Sequence, residues 1–358
     1  MLVCPYVVPR SSVGPTYPAS VVANGLQAVW DLRRLGSATP GPRTAITKTL
    51  GVDNLPGGNT TTGTNCTYDG TNLIITGNQT FNNWNFQITG APFQGVVVRG
   101  NLTTVTFNDC IFGTVAVNPA VDNNHFYGLQ ASDNATSPSV NCNYCKFDGG
   151  RRDSNIGIRG PWSSSALYAL SSSTVIVDHC HFTGIPYDAV KTSNAFYTQT
   201  WCLIEAFPWN LNADADGIQM ISGSIDVENC LYDLSEGDGT HIFNNINQAI
   251  FCTIDTDSTG NGIPTVKNNI FYGFGLYASF GGNPNTVVSV ADNHTAGAQA
   301  TGFHIVNGVW QGNVFQPGRA GTWTVGPSPD NHTSAGAIAS WTRNLNFDTG
   351  ATIAAPSF

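Results

Sequence analysis

Charge is scarce in this sequence of 358 residues, because only 10% of them are Asp, Glu, Lys or Arg. The 14 basic residues are outnumbered by 23 acidic residues, which gives a formal net charge of −9. A protein that binds nucleic acid needs a basic surface to neutralise phosphates. The composition therefore predicts no nucleic-acid partner.

Long apolar runs are also missing, and no stretch approaches the roughly 20 apolar residues that span a bilayer. We therefore expect no membrane insertion. The first ten residues, MLVCPYVVPR, lack the basic start of a secretory signal peptide, and prolines interrupt their apolar run. We expect the protein to act where it is made or to leave by another route, such as release within a virus particle.

Turn-forming residues are abundant, with 39 Gly and 36 Asn. This composition is poor for helices and typical of a chain with many turns. Hydrophobic residues make up 41% of the sequence, which is enough for a long core. The sequence thus predicts an ordered protein in which strands and turns dominate.

A short pattern recurs along the chain and is clearest in residues 175–184, VIVDHCHFTG. With Cys180 as position zero, apolar residues stand at minus five, minus three, zero and plus two. The zero positions of the copies are Trp84, Cys110, Cys145, Cys180, Cys230, Asn269 and Gly308. Self-similarity at such intervals is the mark of a solenoid.

Each copy alternates with period two, as a strand does, except at one step. Between minus three and zero, two polar residues separate two inward side chains, so the chain must turn a corner there. The corner pairs are Asn82-Asn83, Asn108-Asp109, Asn143-Tyr144, Asp178-His179, Glu228-Asn229 and Lys267-Asn268. Asn and Asp tolerate the left-handed backbone of such corners better than most residues.

A single-stranded, right-handed parallel β-helix explains both the alternation and the corner, with the hand following from the crossover rule. The alternative is a β-sandwich, which gives no reason for a corner at a fixed offset. In the β-helix, Cys110, Cys145, Cys180 and Cys230 form one inward ladder. The residues at plus two, namely Phe112, Phe147, Phe182, Tyr232, Phe271 and Trp310, form a second.

We divide the chain into residues 1–60, an N-terminal arm with a capping helix, and residues 61–358, a parallel β-helix with C-terminal capping strands. Asn24 can cap an amphipathic helix over residues 25–35, whose apolar stripe includes Leu26, Val29, Trp30 and Leu35. We expect this helix to cover the open end of the first coil, because natural proteins cover unpaired strand edges.

The nine cysteines do not read as a disulfide framework, because most of them stand at inward positions where Cys acts as a small buried hydrophobe. Cys4 lies outside the repeat, and the total is odd. We therefore consider Cys4 a candidate for a disulfide to another chain. The pair Cys142 and Cys145 has no second pair at zinc-site spacing, so we expect no metal site and no cofactor.

The longest interval, between Cys180 and Cys230, is the candidate recognition region, because loops of a solenoid tolerate insertion. We take residues 185–219 as a loop that binds glycans, since aromatic faces beside carboxylates and amides suit polysaccharides. Its predicted glycan-binding residues are Tyr187, Trp201, Trp209, Asp216 and Gln219. These aromatic residues can equally serve to fold the loop onto the solenoid.

Acids recur in the same region, and Asp188 begins the sequence DAVK while Asp216 begins DGIQ. This pair resembles sequences in right-handed parallel β-helix proteins, including phage tail and tailspike-like proteins, although Asp214 stands where those relatives often have His. Residues 177–179, Val-Asp-His, also resemble part of the pectate lyase signature. The alternative to a functional role is that each Asp closes a turn by accepting hydrogen bonds from main-chain amides.

The tailspike-like resemblance implies a virion or surface protein that presents a glycan-binding face for host attachment. It implies a homotrimer, contacts to other virion proteins through the N-terminal arm, and bacterial surface polysaccharide as the ligand. A polysaccharide depolymerase is the alternative, either a glycoside hydrolase or a lyase. Its candidate catalytic residues are Asp188, Asp214, Asp216 and Lys191, with Glu205 as a further carboxylate. A purely structural decoration protein is the third possibility.

Overall fold

The computed structural model describes residues 17–33, 40–86, 95–113, 127–132, 136–149, 165–185, 188–205, 215–234, 246–252, 265–273, 276–280, 302–303, 309–311, 313–315, 324–325, 340–347 and 349–352. These residues form an all-β protein whose strands are mostly parallel and stacked in sheets. The arrangement is compatible with a β-helix. None of the described helices is long and apolar enough to cross a membrane.

Three large sheets contain nearly all of the described strands, which are numbered in chain order. Sheet C contains β5 (Gln79–Asn82), β8 (Thr104–Asn108), β11 (Ser139–Asn143), β14 (Thr174–Asp178), β17 (Ala195–Thr200), β20 (Gly223–Glu228), β23 (Thr265–Lys267), β27 (Val309–Gln311) and β30 (Ser340–Thr342).

Sheet A follows sheet C in the path of the chain. It contains β1 (Lys48–Thr49), β6 (Trp84–Asn85), β9 (Ile111–Gly113), β12 (Lys146–Asp148), β15 (His181–Thr183), β18 (Leu203–Glu205), β21 (Leu231–Leu234), β24 (Ile270–Gly273), β28 (Val314–Phe315) and β31 (Leu345–Asn346).

Sheet B completes each turn of the chain. It contains β2 (Thr62–Gly63), β3 (Cys66–Tyr68), β4 (Asn72–Ile75), β7 (Gly95–Val98), β10 (Tyr127–Ala131), β13 (Ser165–Leu170), β16 (Asp188–Ser193), β19 (Ala215–Met220), β22 (Ile246–Cys252) and β25 (Leu276–Phe280). A small separate sheet pairs β26 (Gly302–Phe303) with β29 (Thr324–Val325). One pass of the chain through sheets C, A and B is called a coil below.

The predicted corners between sheets C and A are confirmed. The second residue of every predicted pair has the positive φ of left-handed backbone, for example 52° at His179 and 56° at Asn229. Neighbouring corners are joined by main-chain hydrogen bonds, such as the Tyr144 N–H donating to Asp178 O at 2.9 Å. The corner therefore repeats at the same place in each coil.

The cysteine ladder is also confirmed, and its members are hydrogen-bonded rather than simply apolar. Cys180 is fully buried, accepts a hydrogen bond from the Cys145 N–H at 3.2 Å and donates to Cys142 O at 3.4 Å. The corner interrupts the regular pairing of the strands. The thiol forms hydrogen bonds with main-chain N–H and C=O groups that would otherwise lack a partner there. Cys180, Cys202 and Cys230 each place at position zero a small side chain that both donates and accepts.

Asn likewise donates and accepts at position zero in the last coils. Asn269 accepts a hydrogen bond from the Cys230 N–H at 2.8 Å and donates to Val227 O at 3.0 Å. Asn313 and Asn344 extend this buried ladder, with the Asn269 N–H donating to Asn313 Oδ1 and the Asn313 N–H to Asn344 Oδ1.

The copy with Gly308 at position zero is wrong, because Trp310 pairs in register with Val266 at minus three. Asn313 is therefore at position zero, and Phe315, not Trp310, follows Phe271 in the plus-two column. The earlier part of that column is confirmed as a stack of buried rings, with Phe147 and Phe182 at a centroid distance of 4.5 Å. Each fully buried Phe contributes roughly 1.5–3 kcal/mol of hydrophobic stabilisation.

The expectation of an inserted loop over residues 185–219 is wrong, because these residues include β16, β17, β18 and the start of β19. Cys202 occupies position zero of this additional coil, between Cys180 and Cys230 in the ladder. Its minus-three residue is Gln199, which is fully buried. Tyr197 OH donates to Gln199 Oε1 at 2.7 Å, and Gln199 Nε2 donates to Tyr232 OH at 3.1 Å.

The single helix predicted over residues 25–35 is wrong, because the segment contains α1 (Ala19–Ala23), α2 (Gln27–Trp30) and a 3-10 turn (Asp31–Arg33). Gly25 has a φ of 69° and separates the two helices, and Asn24 ends the first instead of starting the second. Leu35 lies outside the described residues.

These helices also do not cover the first coil. Val21, Leu26, Val29 and Leu32 pack on outward apolar residues of sheet A in later coils, namely Leu203, Leu231, Ile270 and Leu345. The chain then runs back toward the first coil, where Arg43 forms an ion pair with Asp109 at 3.2 Å and β1 pairs with β6. The antiparallel strands β2, β3 and β4 lie before the first coil instead, and Cys66 and Tyr68 join its core.

Candidate functional site

The two acids singled out from the sequence lie in neighbouring strands of sheet B. Asp188 begins β16 and Asp216 lies in β19, each two residues before the paired core residues Val190 and Ile218. Asp188 is 5% exposed and Asp216 is 2% exposed. The Asp216 N–H donates to Asp188 Oδ1 at 2.9 Å. Asp188 thus accepts a hydrogen bond from a main-chain amide, which supports a structural role for this carboxylate.

Lys191 and Gln219 lie on the other side of the same strands, because side chains alternate between the two faces of a strand. Lys191 pairs in register with Gln219 of the next coil and with Tyr168 of the preceding coil. All three side chains are half-buried. The structure therefore brings these two predicted residues together on the outer face of sheet B.

Tyr168, which the sequence reasoning missed, continues this column, and its register partner in β10 is Gln130. The reasoning also missed Tyr127, whose ring packs against Tyr168 from three residues earlier in β10. Tyr127, the first residue of β10, packs its ring against Tyr168 of β13, with a centroid distance of 5.0 Å and an interplanar angle of 37°. Burial raises the pKa of Tyr168, and the neighbouring Tyr127 raises it further. Both rings remain partly accessible. We call Tyr168, Lys191 and Gln219, together with the Tyr127 ring that packs against Tyr168, the tyrosine–lysine column.

Trp201 lies elsewhere, in the corner between β17 of sheet C and β18 of sheet A. It has a φ of 53° and stacks on His179 at a centroid distance of 6.1 Å. Its side chain also packs against the apolar cluster formed by the N-terminal helices. The predicted group of Trp201 with Asp216 and Gln219 is therefore divided between different sheets.

Glu205 is likewise separated from the acids of sheet B. It lies in β18 of sheet A, and its Oε1 is 2.7 Å from His181 Nε2. His179 Nδ1 is 2.9 Å from Asp178 Oδ2. A carboxylate oxygen thus lies close to each histidine ring, with a hydrogen bond at His181 but, among the described residues, none at His179 Nδ1.

The remaining predicted site residues lie outside the described residues. They are Cys4, Tyr187, Trp209 and Asp214. Of the other aromatic residues in 185–219, Tyr197 is buried in the core and Phe196 is 58% exposed on sheet C.

The buried thiols are poor candidates for catalysis. Burial raises the pKa of Cys142, Cys145, Cys180 and Cys202, and the thiolate is the form that reacts. Within the described part of the chain, no group of three or more His, Cys, Asp or Glu side chains converges to hold a metal ion.

The described geometry thus offers Tyr168, Lys191 and Gln219 in register on the outer face of sheet B, one in each of three consecutive coils, with Tyr127 packed against Tyr168. Such a column can stack on sugar rings and form hydrogen bonds with hydroxyl groups. Comparison of the chain with protein-family models, with curated proteins and with solved structures finds no match.

Proposed function

We propose that this protein is a virion or surface structural protein that presents a glycan-binding face for attachment to a host. The observation that carries the proposal is the tyrosine–lysine column on the outer face of sheet B. The ligand of the column is a bacterial surface polysaccharide, and the stack of coils holds the column in place.

The chemistry of the column supports this ligand class. The apolar C–H faces of sugars pack on aromatic rings, while their hydroxyl groups form hydrogen bonds with amide and ammonium groups. The column places Tyr168, Lys191 and Gln219 in consecutive coils, about 4.8 Å apart, the separation of paired strands. An extended polymer can therefore contact several of these residues at once.

A depolymerase is the second candidate, and the proximity of Asp188 to Asp216 is the observation that favours it. Glycosidases require two carboxyl groups roughly 5–9.5 Å apart on either side of the scissile bond. The burial of both acids, and the amide bound to Asp188, favour binding without cleavage.

We further propose that the coils form one right-handed β-helix, because parallel crossover connections are nearly always right-handed. The resemblance of DAVK and DGIQ to tailspike-like proteins supports a homotrimer within a virion. In this proposal the N-terminal arm contacts other virion proteins, and Cys4 is the candidate for a disulfide to another chain.

Retention on immobilised bacterial capsule and lipopolysaccharide tests the proposed function. Tyr168→Ala should weaken retention about two- to tenfold, corresponding to the loss of about 0.5–1.5 kcal/mol of aromatic contact. Phe196→Ala is the matched control, because it removes an exposed ring from sheet C. Equal weakening by both variants would contradict a site on sheet B.

The same incubation separates the alternatives. Shortened polysaccharide chains, whose appearance is abolished by Asp188→Asn and Asp216→Asn, would establish the depolymerase. If no polysaccharide is retained and none is shortened, the protein is a purely structural decoration protein.

A further inference from the structure

We infer that Lys191 makes the tyrosine–lysine column selective for anionic polysaccharides, with the carboxylate of an acidic sugar bound at its ammonium group. This inference rests on the proposed function and specifies its ligand class.

The first observation is the isolation of Lys191. The chain has a net charge of −9, yet the side chain of Lys191 has no ion pair or hydrogen bond among the described residues. Arg43 and Lys146, by contrast, form ion pairs with Asp109 and Asp148 at 3.2 and 2.6 Å. An ammonium group without a counter-charge, on a half-buried lysine, favours an anion brought by a ligand.

The second observation concerns Gln219, the neighbour of Lys191 in the next coil. Its Oε1 is buried and accepts no hydrogen bond within the described part of the structure. A buried acceptor of this kind is costly to leave unsatisfied. A sugar hydroxyl would satisfy Gln219 Oε1 once the amide turns toward the outer face, where Lys191 is its neighbour in register.

The order of the column sets the position of the ligand. Tyr168 packs against Tyr127 of the preceding coil, while Lys191 and Gln219 follow it in the next two coils. A sugar packed beside Tyr168 thus has Lys191 one strand spacing, about 4.8 Å, further along the stack and Gln219 one coil beyond. This order matches a polymer that presents apolar ring faces, carboxylates and hydroxyl groups along one edge.

The nearby acids do not occupy this face. Asp188 and Asp216 belong to the opposite side of the same strands and are almost fully buried. Asp188 Oδ1 accepts the Asp216 N–H. Lys191 is therefore the cation of the column, and these two carboxylates do not present their oxygens on the outer face.

Binding to matched polymers tests the inference. The probes are alginate, hyaluronate and polyglucuronate, each compared with its own carboxyl-reduced, neutral form. The wild-type protein should bind at least one acidic polymer about tenfold more tightly than its neutral form, the effect of one charge-assisted hydrogen bond. Lys191→Met should remove this preference and leave binding of the neutral form unchanged.

Two further variants complete the experiment. Lys191→Arg should keep the preference, because it keeps the charge. Lys267→Met should also keep it, because Lys267 lies in β23 of sheet C. A preference that persists in Lys191→Met, or that is lost equally in Lys267→Met, overturns the inference.

The result for the wild-type protein separates this inference from the proposed function. If the acidic and neutral forms bind equally, the role of Lys191 is refuted and glycan binding stands. If neither form of any polymer binds, and capsule and lipopolysaccharide are not retained either, the proposed function fails and the inference fails with it.

Discussion

Replacement of the buried amide of Asn269 tests the hydrogen-bonded ladder at position zero. Asn269 is fully buried, donates to Val227 O at 3.0 Å and accepts from the Cys230 N–H at 2.8 Å. Asn269→Ala leaves both main-chain groups buried without a partner, at a cost of about 1–3 kcal/mol each. We therefore expect the free energy of unfolding to fall by about 2–6 kcal/mol.

Asn269→Cys is the matched variant, because Cys230 makes the equivalent pair of contacts one coil earlier. Its Sγ donates to Gln199 O at 3.6 Å and accepts from the Cys202 N–H at 3.4 Å. A thiol at position 269 can satisfy the same two groups, so the expected loss is only about 1 kcal/mol.

Urea unfolding of the wild-type protein and both variants, followed by circular dichroism, measures the two losses. The linear dependence on urea gives each free energy of unfolding. Equal losses for Ala and Cys would refute the hydrogen-bonding role of position zero, and so would a loss below about 1 kcal/mol for Ala.

Three further predictions concern the corners, the N-terminal helices and the thiols. Asn229 has a φ of 56°, so Asn229→Val should lower the free energy of unfolding by about 1–2 kcal/mol while Asn229→Gly should not; equal melting temperatures would contradict this. Val29→Asp should detach the helices from sheet A and speed amide hydrogen exchange in residues 19–33, whereas unchanged exchange would contradict their packing. Burial raises the pKa of the thiols of Cys145, Cys180 and Cys202 above the ordinary value of 9.0. Their contribution to the free energy of unfolding is therefore complete below pH 9.0 and falls as the pH rises above it. The expected fall is up to about 1.4 kcal/mol per pH unit and thiol, and equal urea midpoints at pH 8 and pH 10 would contradict it.

The corners could be predicted from the sequence because two constraints coincide there. The step of three residues breaks the period of two, and Asn or Asp stands at several of the left-handed positions. His179 and Trp201 occupy the same backbone position, which shows that the repeated geometry matters more than residue preference.

The additional coil at Cys202 escaped prediction because a polar residue occupies an inward position. Gln199 fills minus three, where an apolar side chain is expected, and two tyrosines satisfy its amide. A pattern of hydrophobic residues cannot identify a buried polar group whose partner belongs to another coil. The same limit explains the misplaced copy near Trp310, since Asn313 at position zero is polar and buried.

The candidate site was predictable only in part. The sequences DAVK and DGIQ identify Lys191 and Gln219 as candidates, and the register of their strands brings the two residues together. Tyr168 and Tyr127 lie in the two coils before Lys191, in β13 and β10. The segments that precede these strands differ in length, so spacing alone does not show that the two rings meet. The hydrophobic pattern does not reveal the coil that contains Trp201, and it therefore predicts a loop there.

Anomalous scattering from the native sulfur atoms of a crystal tests the central arrangement most directly. The account predicts that the sulfurs of Cys110, Cys145, Cys180, Cys202 and Cys230 form one row, with neighbours about 4.8 Å apart. A sulfur of Cys202 outside this row, with Cys180 and Cys230 as direct neighbours, would contradict it.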